Sequence, residues 1–252
     1  MLDQRTLAYL NLYAVFGALE NLCELAPEAR EALTNKKPIS LGIDVKNGPS
    51  GTLTFYKGQC RLEDGCDKCD IKLPFSSPEK FNGMIDGTVT PIPSKGFQHI
   101  GFLLKDFIKL TDILNKYMRP TEEDLKDPEF FRINTALTLY VIGVAIAQVG
   151  NQDEIGKFSA SHVADGSVMM SIKNGPAVEI IAKDHHLVCK KARPEKYRCA
   201  MEFDSYETAN DLFNGKINSI AAIGTGKVEM HGLVGMLDNV NRILDRVALY
   251  LA

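Results

Sequence analysis

The chain has 252 residues and a formal net charge of −3, with 45% hydrophobic and 24% charged residues. This composition is ordinary for a globular protein, and the length allows one or two domains with sizeable cores. Basic residues are not clustered with aromatic residues on any one segment, which argues against nucleic-acid binding.

No segment of the sequence predicts export or membrane insertion. The first residues, MLDQR, lack the basic region that opens a signal peptide. The most apolar stretch, residues 135–150, is shorter than the roughly 20 apolar residues of a spanning helix, so we expect a buried helix there. Six cysteines without an export signal predict reduced thiols in the cytoplasm. Transient contact with a membrane stays open.

The sequence contains an internal repeat. Residues 45–49, VKNGP, recur 127 positions later as residues 172–176, IKNGP. Matches continue in the same order on both sides, with an offset that rises slightly along the chain. We therefore predict a tandem duplication with copies at residues 1–119 and 120–252, because Pro120 discourages continuation of a helix across that point.

Each copy is predicted to begin with a helix and to continue with strands. Leu12, Val15, Leu19 and Leu22 recur at helical spacing and form one apolar face. Residues 39–46 alternate between apolar and polar, which is typical of a strand. The Asn-Gly pairs at 47–48 and 174–175 predict hairpins, and together these patterns indicate an antiparallel meander of about four strands in each copy.

A short helix, a last strand and a long C-terminal helix complete each predicted copy. Ser76 or Ser77 and, in the second copy, Asp204 or Ser205 are candidate N-caps. The pattern predicts an α+β fold, in which an antiparallel sheet of about five strands is covered on one face by helices.

The second half resembles the sterol carrier protein type two superfamily. The residues that carry the resemblance are 203–205 (FDS), 210–216 (NDLFNGK) and 226–232 (GKVEMHG), followed by the closing helix. The first copy matches less closely, because Gly87-Thr88 lacks the lysine that follows Gly215. The resemblance implies an apolar tunnel between sheet and helices and a non-enzymatic carrier of fatty acyl chains, sterols or other lipids. It implies no cofactor, and oligomeric state stays open.

Apolar residues on the helix faces and near the last strand are the candidate ligand-binding positions, although the same residues also suit an ordinary filled core. The candidates are Phe81, Met84, Phe102, Leu103, Phe107, Leu110, Leu212, Phe213, Met230, Leu233, Met236, Leu237 and Val240.

Two alternatives remain at this point. Cys66 and Cys69 form a C-x-x-C with Cys60 nearby, and thiolates at this spacing can bind a metal or act as a redox pair; otherwise they are incidental thiols at a hairpin tip. A regulatory or scaffold protein with two filled cores is the other alternative. The sequence contains no nucleophile elbow, phosphate-binding loop or dinucleotide fingerprint, and we predict no enzymatic activity.

Overall fold

The computed structural model describes residues 2–251, which divide into two compact units. The first unit ends at Ile133 and the second begins at Asn134. This division falls inside a helix, C-terminal to the boundary expected at Pro120.

The first unit contains five complete α-helices, two π-helical segments and four strands among its described residues. In chain order these are α1 (Gln4–Tyr9), the first π-segment (Leu10–Phe16), α2 (Ala18–Leu25), α3 (Pro27–Ala32), β1 (Ile39–Val45), β2 (Ser50–Tyr56), β3 (Gln59–Asp64), β4 (Ile71–Phe75), α4 (Pro78–Ile85), the second π-segment (Phe102–Phe107) and α5 (Ile108–Met118). Short 3-10 turns lie at Phe97–His99 and Asp124–Lys126.

The sheet of the first unit is mixed, with strand order β3-β2-β1-β4. Strands β1, β2 and β3 form the predicted antiparallel hairpins, but β4 pairs parallel to β1. The expected all-antiparallel meander is therefore wrong for this pair. After β3 the chain crosses back over the sheet and adds β4 beside β1, so that Leu41 lies opposite Ile71. Local periodicity does not encode this choice of neighbour.

A fifth strand is absent from the first sheet as far as residues 2–133 are described. The segment after α4 makes a single bridge to the sheet, between Lys95 and Lys72. Pro91 and Pro93 precede this bridge. Proline has no backbone N–H to donate to a strand ladder, which explains why the predicted last strand does not extend here.

The second unit has the same strand pairing and one further strand. Its elements are α6 (Pro128–Gln152, which begins in the first unit), α7 (Glu154–Ala160), β5 (Gly166–Ile172), β6 (Ala177–Lys183), β7 (His186–Lys190), β8 (Cys199–Phe203), α8 (Tyr206–Phe213), α9 (Ser219–Gly224), β9 (Val228–Gly232) and α10 (Val234–Leu251). The sheet order is β7-β6-β5-β8-β9, again with a parallel pair, β5 and β8.

The α+β class with helix-covered sheets is confirmed. The predicted hairpins are present: Asn47 and Asn174 both adopt left-handed backbone conformations, with φ of 61° and 56°. Ser205 caps α8 through a hydrogen bond from the backbone N–H of Thr208 to its hydroxyl oxygen (3.2 Å). Ser77 occupies the corresponding N-cap of α4.

Helix α6 contains the apolar stretch that the sequence analysis assigned to a buried helix. Within residues 2–251 it is the one helix whose length and composition would allow it to cross a membrane. Its most apolar window is 67% buried, and Leu137, Leu139 and Ile146 are fully buried. A core helix of a folded domain meets the same criteria.

Candidate functional site

A groove of about 330 Å³ lies in the first unit, between β4, the two π-segments, α4 and α5. Its volume lies within the roughly 300–1,000 Å³ of small-molecule sites and exceeds the about 150 Å³ of a cavity that binds benzene. The residues that line it are Val15, Phe16, Leu73, Met84, Ile85, Thr90, Pro91, Pro93, Ile100, Leu103, Leu104, Phe107, Ile108, Thr111, Leu114 and Asn115.

Both π-segments contribute to the wall of this groove. Val15 and Phe16 belong to the first, and Leu103, Leu104 and Phe107 belong to the second. A π-turn is wider than an α-turn, so it rotates the side chains that follow relative to regular helical spacing. Such turns occur frequently at functional sites, and here two of them face one space.

The floor of the groove rests on a cluster of aromatic rings. The ring of Phe107 lies 6.0 Å from that of Phe16 and 5.9 Å from that of Phe55, edge to face in both cases. Behind the floor, Phe81 packs against Phe16 at 6.2 Å and against Phe75 at 5.2 Å. Edge-to-face contacts of this kind hold rings in defined positions, so the floor is a packed surface.

The lining carries no charged side chain. Its polar members are Thr90, Thr111 and Asn115, and the hydroxyl of Thr111 donates to the backbone oxygen of Ile108 over 2.8 Å. General acid–base catalysis needs a titratable group near the reacting atoms, and a hydroxyl nucleophile needs an adjacent base. The lining offers neither group.

The sequence-predicted candidates of the first unit fall into two groups. Met84, Leu103 and Phe107 line the groove. Phe81, Phe102 and Leu110 are buried behind it, and the ring of Phe102 packs at 5.3 Å against that of Phe55 in the core.

The candidates of the second unit lie mainly in or near its core. Met236, Leu237 and Val240 are buried on α10. Leu212 and Phe213 on α8 and Met230 on β9 are half-buried, whereas Leu233 is 45% exposed.

Several lining residues were not identified from the sequence. Leu104, Ile108 and Thr111 follow one another at steps of four and three residues, which is a helical spacing. The prediction followed the neighbouring stripe through Leu103, Phe107 and Leu110, of which Leu110 is buried behind the groove. Helical spacing alone does not say which of two adjacent apolar faces is left uncovered.

The cysteines of the C-x-x-C lie in a crossover segment, residues 65–70, and not at a hairpin tip. A Cβ added to Gly42 on β1 would come within 2.6 Å of the Cys69 sulfur and 3.1 Å of the Cys66 Cβ. Gly42 alternates with Leu41 and Ile43, which face the helices, so the crossover covers the opposite face of the sheet.

The sheet separates Cys60 from this pair. Cys60 lies opposite Phe55 in the β2–β3 ladder, on the face that the helices cover. Throughout residues 2–251, no group of three or more His, Cys, Asp or Glu side chains is arranged to hold a metal ion. Burial raises the pKa of the Cys66 thiol, and the Asp44 carboxylate adds to this effect while Lys72 opposes it. A metal site shared by the three cysteines is therefore not supported.

No protein-family model matches the chain, and no curated protein matches it. Among solved structures, the sterol carrier protein domain 2 of Helicoverpa armigera is 20% identical with a TM-score of 0.36, over 44% of this chain and 88% of that chain. A UbiJ-SCP2 ubiquinone synthesis protein is 13% identical with a TM-score of 0.35, over 45% and 93%. Sterol carrier protein 2 from Yarrowia lipolytica is 20% identical with a TM-score of 0.34, over 44% and 91%. Likenesses this weak assign neither a family nor an activity to the chain.

Proposed function

We propose that the first unit is a non-enzymatic binding module that holds an elongated apolar molecule, such as a lipid with an acyl chain, in the groove between β4 and α5. The observation that carries this proposal is the groove itself, with about 330 Å³ of space and a wholly uncharged lining. Transfer of each methylene from water into such a lining contributes about 0.8 kcal/mol, so a chain of moderate length binds without charged contacts.

The shape of the groove supports a chain-like ligand. Lining residues on the second π-segment and α5 extend from Ile100 to Asn115, a span of about 20 Å at the rise of a helix. The rim is also apolar and accessible: Leu104 is 65% exposed and Ile108 is 46% exposed. Exposed apolar side chains beside a groove are typical of a site that a ligand covers.

We further propose that the two units descend from one duplicated ancestor and that the protein acts in the cytoplasm. The matching residues at 45–49 and 172–176 support the duplication, as does the shared pairing of β1 with β4 and of β5 with β8. The resemblance to sterol carrier proteins adds the expectation of a lipid cargo.

The test is binding of an apolar fluorescent probe to the full chain, together with native mass spectrometry of gently purified protein. The variant Ile108→Trp fills the rim of the groove, and we expect it to weaken probe binding at least about tenfold, or about 1.4 kcal/mol. Ile155→Trp is the matched control, because Ile155 is also an exposed helical residue (57%) and lies in the second unit. Equal binding by both variants and the parent chain would contradict this placement of the site.

A further inference from the structure

We infer that the groove selects a single-chain lipid whose head group is uncharged and carries a hydrogen-bond donor, such as an alcohol or an amide with an N–H, and discriminates against a carboxylate or an ammonium head. This inference rests on the proposed function and specifies its ligand class. It follows from the polar groups that the groove contains and from the pairing of a nearby cation.

The polar groups of the lining suit a neutral head group. The Thr111 hydroxyl already donates its hydrogen to the Ile108 carbonyl, so only its lone pairs remain for a ligand. These lone pairs accept from an alcohol or amide but offer nothing to a carboxylate, which is an acceptor only. Asn115 and Thr90 can both donate and accept, and neither carries a charge that would compensate an ion.

Lys116, the cation next to Asn115 in the chain, is already engaged. Lys116 follows Asn115 in α5, but its ammonium lies 3.3 Å from the Asp124 carboxylate and 5.4 Å from the centre of the Phe130 ring. To pair with a ligand carboxylate, Lys116 would have to leave both contacts. An anionic head beside the half-buried Thr111 would be partly desolvated without gaining an opposite charge from the lining, and this loss is unfavourable.

An ammonium head meets the same difficulty. Asp124 is occupied by Lys116 and by the Thr121 hydroxyl, which donates to it over 2.6 Å. No carboxylate belongs to the lining. Among ligands of equal chain length, we therefore expect the uncharged one to bind most tightly and a charge of either sign to weaken binding.

The experiment uses dodecanol, dodecanoate and dodecylammonium to displace the fluorescent probe from the full chain at neutral pH. We expect dodecanol to bind at least about tenfold more tightly than either ion, which corresponds to about 1.4 kcal/mol. Dodecanoate or dodecylammonium binding as tightly as dodecanol would overturn the inference while leaving the proposed function intact. If none of the three displaces the probe, the proposed function fails as well.

A charge-introducing variant provides a second test. Asn115 is exposed, so Asn115→Lys adds a cation at the groove without disturbing the core. We expect this variant to bind dodecanoate at least about fivefold more tightly than the parent chain does. Ala248→Lys is the control: it adds the same charge at an exposed helical position outside the groove and should leave the dodecanoate affinity unchanged. A dodecanoate affinity that Asn115→Lys leaves unchanged would show that the head group lies elsewhere.

Discussion

The side-chain amide of Asn11 donates a hydrogen bond of 3.0 Å to the side-chain oxygen of Asn82, and both residues are buried. Asn82 in turn donates to the backbone oxygen and the side-chain oxygen of Gln4, over 2.9 Å in each case. These bonds join the N-terminal helical region to α4, one wall of the groove. In the second unit Asn210 likewise joins α8 to α6, through Asn134 and Thr135.

We expect Asn82→Ala to lower the free energy of unfolding by about 1–3 kcal/mol, because it leaves the buried Asn11 amide without its acceptor. Urea denaturation followed by circular dichroism measures the change. The double variant Asn11→Ala/Asn82→Ala is the control, and it should be less destabilised than the sum of the single variants, because both polar partners are then removed. Strict additivity would contradict a direct interaction between the two amides.

The close packing of the crossover segment on Gly42 makes a second prediction. Gly42→Ala places a methyl group where the Cys69 sulfur is only 2.6 Å away, and such overpacking costs about 1–3 kcal/mol. In the background Cys69→Ala the nearest atom is gone, so the same substitution should cost less. Thermal unfolding of the parent chain, the two single variants and the double variant gives the coupling energy between the two positions. If Gly42→Ala lowers stability equally with and without Cys69→Ala, contact with the Cys69 sulfur is not the cause.

Asp153 should make the stability of the second unit depend on acid pH. It accepts hydrogen bonds from the guanidinium of Arg246 at 3.1 Å and from the Tyr250 hydroxyl at 2.7 Å. Burial by itself raises the pKa of Asp153, but these bonds and the Arg246 charge outweigh it and hold the pKa below its usual value. The stabilisation is therefore complete above the unfolded pKa of about 3.9 and is lost as the pH falls through the lower, folded pKa.

We expect Asp153→Asn to cost about 2–3 kcal/mol near neutral pH, because Arg246 is left largely buried without its partner. The difference from the parent chain should shrink below about pH 4. Asp238→Asn, on the same helix as Arg246, is the matched control. The pair of Asp238 with Arg242 is exposed, and its loss should cost less than about 0.5 kcal/mol. Urea unfolding at several pH values tests both variants, and a pH-independent difference for Asp153→Asn would contradict the linkage.

Three thiols, the buried Cys23 and Cys199 and the half-buried Cys189, should react slowly in the folded protein. Burial raises the pKa of Cys23 and of Cys189 to about 12 and that of Cys199 to about 11. Because the thiolate is the reactive form, we expect labelling by a disulfide reagent near pH 8 to be at least about tenfold slower than in denaturant. Labelling followed by peptide mass spectrometry resolves each cysteine, and rapid modification of Cys199, which is fully buried on β8, would show that its strand opens readily.

The local features of both units could be predicted from the sequence. Asn47 and Asn174 adopt the left-handed conformation that their Asn-Gly pairs indicated, and Ser205 caps its helix as expected. The buried helix at residues 135–150 was predicted from its length and hydropathy alone. These features depend on the conformational preferences of a few neighbouring residues, and residue type and spacing are enough to predict such preferences.

Only the tertiary structure decided which strands are neighbours and where the groove lies. The parallel pairing of β1 with β4 joins segments that are distant along the chain, so no local pattern specifies it. On α5, Ile108 lines the groove while Leu110 is buried behind it, and which face of the helix stays uncovered is set by the elements that pack against it. Both outcomes depend on how elements pack against one another, because packing selects among conformations that are locally almost equivalent.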